Sequence, residues 1–150
     1  PFSVERTGGL PLFSVIDLCF SGQYSRDQLK QMFVGKGGSF AYLGTSDGRE
    51  IERRIEAGDE KAKHILEAMA YQVAKEIGAA AAVLNGEVDA ILLTGGLAHN
   101  PRIVKWILDR VSFIAAIKVY PGEDEFEALS EAVSAAIHGS ELILEYTKTY

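Results

Sequence analysis

The run Val88-Asp89-Ala90-Ile91-Leu92-Leu93-Thr94, followed at once by Gly95-Gly96, constrains this chain more than any other stretch. A short, continuous apolar run bounded by turn residues reads as a strand buried on both faces, the kind found in parallel sheets. After it, Asn100 predicts a helix cap and Pro101 a first helical residue, on a helix that buries Ile103, Val104, Ile107 and Leu108. A second strand reads from Ile117 to Tyr120 and stops at Pro121-Gly122. The acidic turn Glu123-Asp124-Glu125 opens another helix, with Phe126, Leu129, Val133 and Ile137 on its apolar face, and the tail from Glu141 to Tyr150 continues weakly helical. The order α-β-α-β-α implies a parallel sheet with helical cover.

Upstream the chain reads as helices joined by glycine-rich turns. Pro11 opens a helix carrying Leu12, Val15, Ile16 and Phe20, and Gly22 ends it. Ser25 and Gln28 fit a capping box for a short helix with Leu29, Met32 and Phe33 inward and Gly35 as the stop. Lys36-Gly37-Gly38-Ser39 reads as a loop, and Asp47 caps a helix with Ile51 and Ile55 on one side, ended by Gly58. Asp59 begins a long helical pattern through Ala62, Ile65, Met69, Val73, Ile77, Ala81 and Leu84, closed by Gly86. The small residues from Ala79 to Ala82 suit close approach by another element.

Two strands are few for so much apolar helix, because stable sheets usually have about four to six. The remaining strands are expected upstream of Pro1 or in a partner. A first residue that is proline rather than methionine points the same way, to a processed chain or a piece of a longer one.

Composition excludes some classes of function. With 21 acidic and 15 basic residues the formal charge is −6, and no basic patch offers itself to a phosphate backbone, so a nucleic-acid partner is not expected. The single cysteine, Cys19, read as a core residue, cannot form an internal disulfide, which suits a reducing, cytoplasmic setting. No apolar stretch is long and uncharged enough to span a membrane, and no secretion leader is visible.

Several stretches carry possible chemistry, each beside a plainer reading. Gly95-Gly96, at the carboxyl end of a strand, lets backbone lie flat against a ligand such as a purine or ribose, or else only makes a tight turn. It is neither a P-loop nor a dinucleotide fingerprint. His99 stacks on a ligand or is a surface residue beside a cap. Glu123-Asp124-Glu125 holds magnesium through hard oxygens, or merely favours a helix dipole. Arg6, before Gly8-Gly9, grips phosphoryl oxygens or is a terminal surface residue. Asp47 in Ser46-Asp47-Gly48-Arg49 bonds a ribose or simply caps its helix, and Trp106 reads as packing.

Three ordered motifs decide among these readings: Phe2-Ser3-Val4-Glu5-Arg6-Thr7-Gly8-Gly9-Leu10-Pro11, Leu93-Thr94-Gly95-Gly96-Leu97-Ala98-His99-Asn100, and Tyr120-Pro121-Gly122-Glu123-Asp124-Glu125. Together they resemble the C-terminal lobe of the acetate kinase family, in its butyrate-phosphorylating branch, from Pro1 to about His138. The segment from Gly58 to Gly78, with Ala70-Tyr71-Gln72-Val73-Ala74-Lys75, is similar to the helix that precedes the adenosine-contacting strand in that family.

The resemblance implies an α/β, ribonuclease H-like fold, that of the acetate and sugar kinase, heat-shock chaperone and actin superfamily. Its two lobes, each built on βββαβαβα, close over a nucleotide. Residues 1–150 would be most of the C-terminal nucleotide-binding lobe, lacking its first three strands. The implied activity is transfer of the γ-phosphoryl group of ATP to butyrate with Mg²⁺, giving butyryl phosphate and ADP.

By position, Arg6 falls where the family places an arginine at the transferring phosphoryl group. Asp47, Gly48 and Arg49 fall on the segment touching ribose and adenine. Gly95 leads into Gly96, Leu97, Ala98, His99 and Asn100, which match the family's Gly-Ile-Gly-Glu-Asn adenosine motif with Ala98 and His99 in place of glycine and glutamate. Glu125 and Asp124 fall on the acidic pair associated with magnesium. Implied partners are butyrate or a similar short-chain carboxylate, the protein's own N-terminal lobe and further copies of itself. A sister kinase for acetate, propionate or a branched acid stays open, as does a non-catalytic helical docking module.

Overall fold

The longest element begins where an aspartate can satisfy a helix's orphan donors. In the computed structural model, which describes residues 1–122 and 125–140, the Asp59 carboxylate accepts the Ala62 N–H at 2.9 Å and starts α5 (Glu60–Val83). Ala62, Leu66, Met69, Ala70 and Ala74 form its buried stripe. Ile65, Val73 and Ile77 of the predicted face lie at the margin, whereas Leu66 and Ala70 sit deeper than the periodicity suggests. The helix ends with Asn85 and Gly86 both at positive φ; Gly86 is the stop the sequence predicts.

Against α5 pack α4 (Gly48–Glu56), through Ile51 and Ile55, and α6 (Pro101–Val111), through Ile103, Ile107 and Val111. Both helices begin as expected. Asp47 accepts the Arg49 N–H, and Asn100 accepts those of Arg102 and Ile103 with Pro101 following it. Each large side chain sealed in this core, such as Ile51 or Leu66, contributes about 1.5–3 kcal/mol.

The strands β1 (Ala90–Gly95) and β2 (Ala116–Pro121) are parallel and joined through α6, with Ile91 opposite Ile117 and Gly95 opposite Pro121. The sheet has two strands among the described residues, the shortage the sequence predicts. One expectation fails, because β1 is not buried on both faces. Ile91 and Leu93 turn toward the core beside Ile117, whereas Leu92 is 62% exposed. Helices cover one face of the sheet, and no described element covers the other, so alternate residues of an unbroken apolar run meet solvent.

The remaining helices are α1 (Leu12–Phe20), α2 (Arg26–Phe33), α3 (Gly38–Leu43) and α7 (Glu125–Ile137). Pro11 sits at the cap of α1 rather than inside it. Ser25 and Gln28 complete the capping box of α2, where Leu29 is buried. Neither α1 nor α7 buries a residue, and Phe126 is 90% exposed. Cys19 lies exposed on α1 instead of in the core, because α1 has no covering neighbour among the described residues. Ala79, Ala80 and Ala82 are likewise exposed. Trp106 packs against the core, as predicted. The weakly helical tail from Glu141 to Tyr150 lies outside the described residues.

The segment Lys36-Gly37-Gly38-Ser39 corrects a second expectation. From Gly38 onward it is helix, not loop. A six-residue helix is too short to hold itself, and here the carbonyls of Ser3, Val4 and Glu5 accept the N–H groups of Ser39, Phe40 and Gly37. The amino-terminal strap thereby caps α3 from outside.

Candidate functional site

The carboxyl ends of β1 and β2 bring two of the singled-out stretches together. Gly95, at φ +84, turns the chain into a short 3-10 turn over Gly96–His99, and Asn100 then caps α6. Opposite it, Gly122 adopts φ +111 and exchanges two hydrogen bonds with Gly95. Gly95 N–H donates to Gly122 O at 3.1 Å, and Gly122 N–H donates back at 3.3 Å. The Thr94 hydroxyl adds a 3.4 Å bond to the same carbonyl. Gly122 is therefore clamped to the glycine pair, and the exposed His99 lies beside it.

A carboxylate the sequence reading passed over joins the third stretch. Glu52, on α4 and about one and a half turns beyond Asp47, accepts Asn100 Nδ2 at 2.9 Å and Arg102 Nε at 2.8 Å. At the start of the same helix, Asp47 N–H donates to Thr45 Oγ1, whose hydroxyl donates to Glu50 at 2.8 Å. Gly48 and Arg49 are thus fixed relative to Asn100. An acid at the fifth position after a helix cap is an ordinary surface residue in sequence, so only the fold reveals its partner.

Beneath the glycine turn lies a cavity of about 180 Å³ between α5, β1 and α6, with apolar walls from Met69, Val73, Leu93, Leu97, Ile103 and Ile107. Gly96 has open space where a side chain would stand, while Ala98 is buried. The arrangement sets a glycine without side-chain cover beside a mostly apolar slot.

Arg6 stands apart. It is exposed, in a bridge to Val34, and its guanidinium makes no hydrogen bond or ion pair among the described residues. Its segment is tied to α5 where Phe2 N–H donates to Gln72 Oε1 at 2.9 Å and the Phe2 ring enters the core. No bond links Arg6 to the glycine turn. Glu125 begins α7 in an exposed position, and Asp124 lies outside the described residues. No group of three metal-ligating side chains occurs among the described residues, and no described helix is long and apolar enough to cross a membrane.

Comparison with known proteins gives this geometry a context. Over 141 residues, 94% of its length, the chain is 54% identical to a protein of Caldanaerobacter subterraneus subsp. tengcongensis named probable butyrate kinase 2. It superposes on the crystal structure of Porphyromonas gingivalis acetate kinase with a TM-score of 0.77 at 21% identity, covering 90% of this chain and 40% of that one. A propionate kinase from Francisella tularensis gives 0.71 at 20% identity over 83% of this chain and 38% of its own. The chain thus spans about two fifths of the length of the relatives it matches. Its fold is that of part of the C-terminal lobe of these α/β kinases. With residues 6–133, which take in α1 to α6 and both strands, matching the family, the chain belongs to the acetokinase family, whose members are carboxylate kinases.

Proposed function

We propose that residues 1–150 are the nucleotide-binding part of a butyrate kinase, which transfers the γ-phosphoryl group of ATP to butyrate. A butyrate oxygen attacks the γ-phosphorus, the bond to the β–γ bridging oxygen breaks, and butyryl phosphate and ADP leave. The observations that support this reading are the pairing of Gly95 with Gly122, three residues before Glu125, and the tie through Glu52 from α4, the helix that Asp47 caps, to Asn100. The choice of butyrate rests on the 54% identity to a protein of that name.

The residues present fit a nucleoside triphosphate. A planar base suits the apolar slot of about 180 Å³ lined by Leu97 and Ala98, and Gly95-Gly96 next to it leaves backbone uncovered by side chains. Asp47 and Arg49, at the start of α4, are assigned the ribose. Magnesium keeps several waters and usually needs only one or two carboxylates beside the phosphates. Glu125, with Asp124, is assigned that part; the ion supplies charge neutralisation on the phosphates. Arg6 stabilises charge developing on the equatorial phosphoryl oxygens with a rigid fork of donors. No enzyme nucleophile is required, and catalysis reduces to positioning and charge.

The protein's N-terminal lobe would complete the cleft in a cytoplasmic enzyme that self-associates. The exposed apolar residues of α1 and α7 favour a docking role for those faces in addition. The test is the complete protein with a panel of short-chain acids, acyl phosphate being trapped as hydroxamate. Butyrate is expected to give the highest kcat/KM, and Arg6→Ala to lower turnover while leaving ATP affinity nearly intact. A preference for acetate or propionate would transfer the assignment to a sister enzyme. Failure to bind ATP or ADP at all would leave only the docking role.

A further inference from the structure

Ser39 is the fully buried polar side chain of the described residues, and nothing in the proposed chemistry uses it. Its hydroxyl donates to Val4 O at 3.2 Å, and its N–H donates to Ser3 O at 3.0 Å. Those two acceptors belong to the turn that displays Arg6. In that turn Ser3 N–H donates to Arg6 O at 2.9 Å, while Ser3 Oγ accepts the N–H groups of Glu5 and Arg6 at 3.3 and 3.1 Å. Phe40 N–H donates to Val4 O, and Gly35 and Gly37 N–H both donate to Glu5 O at 2.9 Å.

Gly38 makes this approach possible. Its φ is +56, and a Cβ there would stand 1.9 Å from Ser3 O and 2.8 Å from Arg6 O. No side chain fits between α3 and the strap. The strap is thereby gripped through the carbonyls of Ser3, Val4 and Glu5, and the arginine that follows them projects free.

We infer that Gly38 and Ser39 are positioning residues for Arg6: they hold the Ser3–Arg6 turn so that the guanidinium meets the transferring phosphoryl group in one fixed orientation. The inference rests on the role proposed for Arg6. It also explains why the Gly37 and Ser39 N–H groups are spent on strap carbonyls.

The test is a mutant cycle in the complete protein. Ser39→Ala keeps the volume and removes one bond, so turnover should fall about threefold to tenfold with the KM for ATP within about twofold; Gly38→Ala should cost about a hundredfold, as ångström-scale misplacement does. In an Arg6→Ala background, Ser39→Ala should cause no further loss, a result that a purely structural role would not give. Equal losses in both backgrounds, or a wild-type turnover for Ser39→Ala, would overturn the inference. If Arg6→Ala alone leaves turnover unchanged, the role of Arg6 fails first and the positioning role falls with it. Should Gly38→Ala fail to fold, the Ser39 cycle decides.

Discussion

Glu52 binds Asn100 across the gap between two helices, accepting its Nδ2 at 2.9 Å while the other carboxylate oxygen takes Arg102 Nε at 2.8 Å. The division of labour within Asn100 is what gives this contact a consequence. Its Oδ1 caps α6 through the N–H groups of Arg102 and Ile103, so the amide is oriented by the helix and fixed laterally by Glu52.

Glu52→Ala therefore spares the cap and frees the turn. A hydrogen bond to a charged group is worth about 1.5–3 kcal/mol, and partial exposure places this one at the low end. Nucleotide affinity should fall about tenfold, which corresponds to 1.4 kcal/mol, with turnover at saturating ATP nearly unchanged. Calorimetric titration with ADP checks this. Wild-type affinity would show that the lateral tie is irrelevant to the ligand.

The cavity beneath Leu97 separates a ligand slot from a simple packing void. Val73→Phe projects a ring into the space bounded by Met69, Leu93 and Ile107. If a base occupies the slot, ADP binding should weaken more than tenfold with little change in melting temperature. A void without a ligand gives the opposite pattern, a raised melting temperature and unaltered binding, because filling an empty cavity recovers lost contacts.

How much of this was legible in the sequence depends on whether the determining contact is local. The caps Asp47, Asp59 and Asn100 and the Ser25–Gln28 box act within three residues, and all four stand as read. The parallel strands and the positive-φ glycines at Gly58, Gly86 and Gly95 follow from local chemistry too. What failed depends on distant partners. Leu92 is apolar yet exposed because burial is set by what covers a sheet face, and Cys19 for the same reason on α1. Gly38 reads as loop because the acceptors of its neighbours Gly37, Ser39 and Phe40 lie more than thirty residues upstream. Glu52 carries no local signal at all. The site residues rest on resemblance, and what the fold adds is local: Gly95 is bonded to Gly122 and Asn100 to Glu52.

Asp59 joins three helices and should register in the acid stability. The Ala62 N–H and then Arg54 hold its carboxyl below the ordinary value of 3.8. Arg54 contacts Asp59 at 2.7 Å and also donates to Leu43 O at the end of α3. A depressed folded-state pKa contributes stability that is present above the unfolded value and is lost as pH falls through the folded one. Melting temperature should therefore drop as pH is lowered below 3.8. Asp59→Asn should melt lower at neutral pH and lack this acidic limb. Parallel acid profiles in thermal melts of the two proteins would remove Asp59 as its source.

Gly96 and Gly122 separate the two uses a glycine can have at this site. Gly122, at φ +111, holds a backbone that side-chain-bearing residues rarely adopt, and an added Cβ meets only His99, at an ordinary 3.5 Å. Gly122→Ala should therefore destabilise the protein by about 1–3 kcal/mol through backbone strain rather than through a clash. It should also raise the magnesium requirement of the kinase assay, because Gly122, three residues before Glu125, would lose its hold on Gly95. Gly96 has no such strain and no neighbour within 4 Å of a Cβ, so Gly96→Ala should change stability by no more than about 0.5 kcal/mol. If a nucleotide lies flat on this peptide, that one methyl group stands between backbone and ligand, and ADP affinity should fall at least tenfold. Thermal melts and ADP titration of the same two variants read both effects. Unaltered binding by Gly96→Ala would mean that the pair serves only the turn, with the ligand seated elsewhere.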